Sequence, residues 1–561
     1  MKTLLKNGTV VNVFTGELEK CDVLIEESKI VGVGEYVDAD ADNVENIEGK
    51  FVCPGFIDGH IHIESTMLTP CELAKLCVPH GTTSIIADPH EIANVCGVKG
   101  INFMLQASRN IPMNVYFNLP SCVPATPFDE SGAVLDADSL KPLYDNKRII
   151  GLGEMMNYPG VIFGNEDVHK KIADANKLNK PIDGHAPMLT GKELDKYISA
   201  GIKTDHECSS LDEAKEKLRK GQWIMIRQGT AARNLESLIG LFDEGFKHRC
   251  ILVTDDRHPA DIMKDGHIDN IIRLAVKLGK SPITAIQMAT IQAAQCFGLR
   301  FMGAVAPGYK ADILVLDSLE EVSVRDVYFD GKKVVAGGAM EKIKTPKIDD
   351  KLNNTVLNSF HTNKLTESDF IIENKRKRCR VIKVIPGELV TEELIEEINW
   401  EKGNGIDAEN DILKLAVVER HNNTGHKGVG FIKGIGLKEG AIASSVSHDS
   451  HNLIVIGANE KDMAIAANHV CSVGGNVVVK NGEIIAEMQL PIAGLMSEKS
   501  GEEVAEENEM VRKAVYELGV PCNIEPFMNM AFVSLAVIPS IKMTTQGLFD
   551  VVNQKRLSLY E

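Results

Sequence analysis

Several things are scarce in this chain of 561 residues. No run approaches the ~20 consecutive apolar residues that a membrane-spanning helix requires. The first twenty residues, MKTLLKNGTVVNVFTGELEK, hold lysines but no long apolar region and no small-residue cleavage site, so they do not read as a signal peptide. None of the 12 cysteines belongs to a CxxC pair. Scattered singly, they read as reduced thiols of a cytoplasmic protein, most of them small buried hydrophobes. Positive charge is short too: 61 Lys+Arg face 79 Asp+Glu, a formal net charge of −18. That balance argues against a nucleic-acid or anionic-membrane partner. The one basic run, Lys375-Arg376-Lys377-Arg378, reads as a solvated turn between domains.

What is present is an ordinary globular balance, 44% hydrophobic and 25% charged, and at about 100–200 residues per domain the length predicts several domains. The first 50 residues alternate short β-rich runs with turns: Leu4–Val13, Cys21–Ile25 and Lys29–Val33, broken by Asn7-Gly8, Thr15-Gly16 and Glu26–Ser28. A matching segment comes much later, with Ala311–Leu316, Val322–Phe329 and Lys332–Val335 around the turn Asp330-Gly331. The two predict one small composite β-sandwich, residues 1–53 plus 303–340. Residues 341–379 are polar and read as a linker. Residues 380–561 begin again with β runs, pass Gly-rich turns over 425–440, and end in helical stretches near Lys461–Val470 and Glu502–Glu517, an α+β domain.

Between the β segments, over 54–302, apolar runs alternate with helical patterns. The candidate strands are Phe56–Ile63, Thr83–Asp88, Asn114–Leu119, Ile149–Glu154, Pro181–His185, Ile202–His206, Trp223–Gln228 and Ile251–Asp255. Eight β-α units in about 250 residues is the arithmetic of an α/β fold of the (β/α)₈ barrel kind; a doubly wound sheet would give fewer.

In such a barrel functional residues gather at the C-terminal strand ends. The first strand ends in Asp58-Gly59-His60-Ile61-His62, and alternation points His60 and His62 the same way. The fourth ends in Glu154, the fifth in His185, the sixth in His206 and the eighth in Asp255-Asp256. Four histidines and two carboxylates converging on one mouth suit Zn, Fe or Mn, and suffice for two ions.

Pro54-Gly55-Phe56-Ile57-Asp58-Gly59-His60-Ile61-His62 resembles the opening signature of the amidohydrolase superfamily. More narrowly, the segments His60–Met67, Gly81–Val95, Gly153–Asn157, Asp183–Pro187, His206–Ser209, Thr254–Pro259, Ser447–Asn452 and Leu490–Met496 resemble the bacterial and archaeal adenine deaminases. The resemblance implies hydrolytic deamination of adenine to hypoxanthine and ammonia. It implies two divalent cations, manganese or iron ahead of zinc, with His60, His62 and Asp255 on one, His185 and His206 on the other, and Glu154 between them where many superfamily members carry a carboxylated lysine. Asp58 would orient a ligand imidazole. Size by analogy suggests a homodimer acting on a purine base, with no nucleic acid and no membrane.

Asp255 is the expected base for water and later the donor to the departing amine. Glu91, after the second strand, is the candidate acid toward N1; the competing role is a carboxylate at a helix N-terminus. His90 either orients substrate or caps its loop. Asp256 is a substrate candidate, with a local Asp256–Arg257 pair as the alternative. Trp223 and Met225 are expected to pack the barrel, and His169 and His248 to lie at the surface. His448 and His451, in Ser447–Asn452, belong to a metal site, a polar turn or a loop that reaches the mouth and closes over the base. Two other functions fit the same barrel: hydrolysis of a cyclic amide or N-acetyl substrate, and a non-catalytic scaffold.

Overall fold

A computed structural model describes every residue except Ala231 and Gly387. Its centre is a ring of eight strands: β1 (Phe56–Ile61), β2 (Thr82–Ala87), β3 (Asn114–Leu119), β4 (Ile149–Met155), β5 (Ile182–Gly184), β6 (Thr204–Asp205), β7 (Trp223–Arg227) and β8 (Cys250–Val253). β1 to β5 pair in chain order, and so do β6 to β8. Two seams complete the ring. Between β5 and β6, Lys203 N donates to Ile182 O and Gly184 N to Thr204 Oγ1, both at 2.9 Å. A Cβ at position 184 would stand 2.1 Å from Thr204 O, so this seam needs its glycine. Between β8 and β1, Asp255 N donates to His60 O at 2.9 Å.

These strands form because their residues are apolar on both faces, as a barrel wall demands. Ile57, Ile86, Met225, Ile251 and Val253 are buried together with Phe297. Trp223 packs at the rim, where the Arg249 guanidinium lies 4.9 Å from its ring centroid. The surrounding helices follow the expected pattern; Leu211–Arg219, capped by Ser210, agrees residue for residue. His185, His206 and Asp255 lie just past the ends of their ladders rather than in them. There the chain leaves the sheet and turns their side chains into the mouth.

Residues from both flanks build one nine-stranded sheet, in which Phe51–Pro54 pairs with Ile313–Leu316. The sheet curls until its far edge meets the other arm: Ala311 N donates to Ser28 O and Ile30 N to Tyr309 O, both at 2.9 Å. It thereby encloses its own core of Leu5, Val10, Val23, Ile313 and Tyr328. Asn7-Gly8 does not end the first strand as expected. It is a bulge inside Lys2–Asn12, where Asn7 takes φ 63° and its N–H is held by Asp22 at 2.9 Å.

Residues 341–379 are a packed strap. They carry the helix Asp350–Leu357, lay it against the helix His90–Ala107, and bury Val356 and Phe370. The last region centres on an eight-stranded sheet, with a three-stranded sheet, Ile541–Arg556, beside it. The glycine-rich stretch read as turns contains a strand, Lys427–Lys433. Its glycines serve packing: a Cβ on Gly428 would stand 2.0 Å from Thr544 O in the neighbouring sheet. No helix among the described residues is long and apolar enough to cross a membrane.

Candidate metal centre

His60 and His62 leave the end of β1 with their rings edge to face, centroids 4.8 Å apart. Each ring is fixed through Nδ1, His60 by the Asp183 carboxylate at 2.9 Å and His62 by the Asp88 carbonyl at 3.1 Å. A carbonyl only accepts, so His62 carries its proton on Nδ1 and presents a bare Nε2; the carboxylate does the same for His60. The two Nε2 atoms face each other at 3.2 Å. Two lone pairs at that distance repel unless a cation or a proton stands between them. The donor set around them fits a cation.

The Glu154 carboxylate divides its attention. Oε1 is 3.2 Å from His62 Nε2, while Oε2 is 2.7 Å from His185 Nδ1 and 3.3 Å from His206 Nε2. Asp255 Oδ1 lies 3.3 Å from His62 Nε2. The six expected ligands therefore converge, with Glu154 turned toward both halves. Sequence reasoning missed Glu207, whose Oε1 is 3.4 Å from His206 Nε2, and Arg227, which donates to Asp255 Oδ2 at 2.5 Å and to both oxygens of Glu207. Glu154, Glu207 and Asp255 thus face a mouth in which Arg227 is the permanent cation. Buried carboxylates in excess of buried cations are costly, and divalent ions would offset that cost. A signal for Arg227 existed in its place at the C-terminal end of β7.

Burial alone would raise these carboxyls. For Glu154, the His185, His206 and His62 rings outweigh it and hold the group well below the usual carboxylate range. For Asp255, the Arg227 guanidinium and the His62 ring do the same. Asp255 also takes a left-handed backbone, φ 58°, tied down by its N–H to His60 O. Strain of this kind is tolerated where a side chain must be aimed.

Asp58 does not orient a ligand imidazole. It stands two residues before His60 and accepts from Thr254 Oγ1 at 2.5 Å, Thr254 N at 3.1 Å and His60 N at 3.2 Å, lacing β1 to β8. The orienting carboxylate is Asp183, two residues before His185 on β5. Asp88, after β2, uses Oδ2 to hold Glu154 N at 2.9 Å. It can approach because a Cβ at Gly153 would stand 2.0 Å from that oxygen.

His90 sits inside the cluster, its Nδ1 3.6 Å from Glu154 Oε1 and its ring against His62. Asp256 does not pair with Arg257. It accepts from Ser65 Oγ at 2.5 Å, while Arg257 donates to Gln228 O at 2.7 Å. His169 and His248 are exposed.

The loop Ser447–Asn452 crosses from the last domain to the mouth. His448 Nδ1 donates to Glu91 Oε1 at 2.6 Å, and His451 Nε2 donates to Glu91 Oε2. Ser447 N donates to His451 Nδ1 at 3.2 Å, which fixes the proton of neutral His451 on Nε2. His448 stacks on Phe532, centroids 4.6 Å apart. Despite burial, the two imidazoles and His90 hold Glu91 well below the usual range, so it does not present a protonated carboxyl. His448 shows the reverse: burial would lower it, but Glu91 lifts it to about 9. Within the pair the charges favour the proton on the His448 imidazole.

Residues 51–338 match the amidohydrolase family, and residues 388–555 match the adenine deaminase C-terminal domain. Among curated relatives, an adenine deaminase 2 of Carboxydothermus hydrogenoformans is 46% identical over 98% of this chain and 95% of its own. Adenine deaminases of Clostridium acetobutylicum and Thermosipho africanus are each 46% identical over 99% of this chain, covering 97% and 96% of theirs.

Proposed function

The chain belongs to the adenine deaminases of the amidohydrolase family, and from that membership we propose that the cluster at the barrel mouth is where it hydrolyses adenine to hypoxanthine and ammonia. The group to be held there is a pair of divalent cations, manganese or iron ahead of zinc, since imidazole and carboxylate donors without thiolate suit those ions. His60, His62 and Asp255 would hold one and His185 and His206 the other, with Glu154 shared. A divalent cation lowers the pKa of water and so supplies a hydroxide-strength nucleophile at neutral pH.

The protein's own groups then move the protons. Asp255 is kept ionised, with Oδ2 anchored by Arg227 and Oδ1 facing the mouth. It can take a proton from water as oxygen adds to C6, and pass one to the departing amine as the C6–N bond breaks. The proton needed at N1 is available from His448, held beside Glu91 by the loop of the last domain. His90 lies between Glu91 and Glu154 and would steady the base. The contact Glu91–His448–His451 carries this reading, because it brings the two matched family regions together beside one centre.

Protein loaded with Mn or Fe should release ammonia from adenine in preference to adenosine, guanine and cytosine. Turnover of another of these without turnover of adenine would overturn the reading.

A further inference from the structure

The two halves of the barrel-mouth cluster can be compared donor by donor. Around an ion with donors about 2.1 Å away, neighbouring donors of a four- or five-coordinate shell stand about 3.0–3.5 Å apart. In the first half, His62 Nε2 lies 3.2 Å from His60 Nε2, 3.2 Å from Glu154 Oε1 and 3.3 Å from Asp255 Oδ1. His60 Nε2 lies 4.0 and 3.9 Å from the same two oxygens. Two imidazoles and two carboxylate oxygens thus surround one point.

The second half is one donor short if it consists of His185, His206 and the shared Glu154. Glu207 stands in the fourth place. Its Oε1 lies 3.4 Å from His206 Nε2 and 3.8 Å from His185 Nδ1, and Glu154 Oε2 lies 3.3 and 2.7 Å from the same two nitrogens. With Glu207 included, the second half repeats the donor set and the spacing of the first.

The plain alternative for Glu207 is its ion pair with Arg227, and that accounts for only part of the geometry. Arg227 donates once to each carboxylate oxygen, and each oxygen has two lone pairs, so Oε1 keeps one. His206 Nε2 faces Glu154 and Glu207 oxygens at 3.3 and 3.4 Å, both past the ~2.7–3.2 Å of an N–H···O bond. One imidazole proton cannot serve both oxygens. A cation between the three atoms can. Glu207 is also aimed from behind. Its N–H donates to Asp205 Oδ1 at 2.7 Å, and Arg227 ties its carboxylate to Asp255 Oδ2.

We propose that Glu207 is a direct ligand of the second cation through Oε1, and that Arg227 holds one carboxylate ligand of each ion in place. The proposal rests on the reading of the mouth as a two-cation centre and adds a donor to it. The Arg227 charge offsets part of the extra negative charge. The side chains of His185 and Glu207 are 21% and 17% exposed, against 1% and 4% for His60 and His62, so a chelator reaches the second ion first.

The test uses the full-length protein loaded with manganese. Wild type and Glu207→Gln are dialysed against a graded series of chelator, and the retained metal is read by atomic emission. Wild type should carry two equivalents. The variant should hold one at wild-type affinity and the other more than about 100-fold more weakly, beyond the ~10–100-fold that loss of an outer carboxylate costs. In electron paramagnetic resonance the spectrum of a coupled manganese pair should give way to that of a single ion. A crystal structure of the loaded wild type reads the same contact without any substitution, with Glu207 Oε1 expected about 2.2 Å from the second ion. Unchanged affinities in the variant, equal weakening of both ions, a loss of only ~10–100-fold, or Oε1 more than about 3 Å from a bound second ion would each overturn the proposal while leaving the two-cation reading in place. Wild type that does not hold two ions would overturn both.

Discussion

The Glu91–His448 pair makes the junction between barrel and last domain sensitive to pH in a direction that can be worked out. His448 rises from an ordinary 6.5 to about 9 when folded. A rise of that size corresponds to about 3 kcal/mol at ~1.36 kcal/mol per pH unit. Because the folded value is the higher one, this stability is fully present below about pH 6.5 and fades as pH climbs toward 9. Glu91→Gln removes the charge but keeps the shape. The Gln oxygen can serve His451, whose proton is fixed on Nε2 by Ser447 N, and its amide must then face His448, which has to give up the Nδ1 proton. Denaturant unfolding of metal-loaded wild type and Glu91→Gln at steps from pH 6 to 9.5 measures the effect. Wild type should lose about 3 kcal/mol across the window and the variant little. Parallel losses in the two proteins would refute the pairing as the source.

Glu154→Gln should lower metal content and adenine turnover together, read by atomic emission and ammonia release, since one carboxylate serves both halves of the cluster. Asp183→Leu removes the acceptor that fixes His60 and should weaken metal retention during dialysis against chelator by roughly 10- to 100-fold. Lys217→Met leaves Asp205, fully buried with it, without its cation, and should cost about 3–5 kcal/mol in denaturant unfolding while sparing the cluster itself.

His60, His62, Glu154, His185 and His206 were legible because each ends a short apolar run, and strand alternation aims His60 and His62 alike. Asp183 carried the same signal, two residues before His185, but its partner sits on β1, across the ring. Spacing along one strand says nothing about which strand lies opposite, and so the orienting role fell to Asp58, which is nearer in sequence but is taken up by Thr254 beyond β8. Glu207 adjoins His206 and reads as an ordinary surface acid until Arg227 is brought over from β7. The loop at His448 was visible as a polar cluster, but its reach to Glu91 depends on two domains meeting. At 427–433 composition misled: the glycines mark a strand that a second sheet approaches closely.

The composite sheet sets a timetable for the newborn chain. Phe51–Pro54 cannot complete its pairing until Ile313–Leu316 leaves the ribosome, about 260 residues later. At roughly 5–20 residues per second that is a wait of about 13–50 seconds. During it the early strands offer an open edge to any passing β-partner, and the barrel emerges into a clamp with one jaw. Anything that slows translation across the barrel lengthens that exposure. The yield of folded enzyme should therefore respond to elongation rate more than the stability of the finished molecule would suggest.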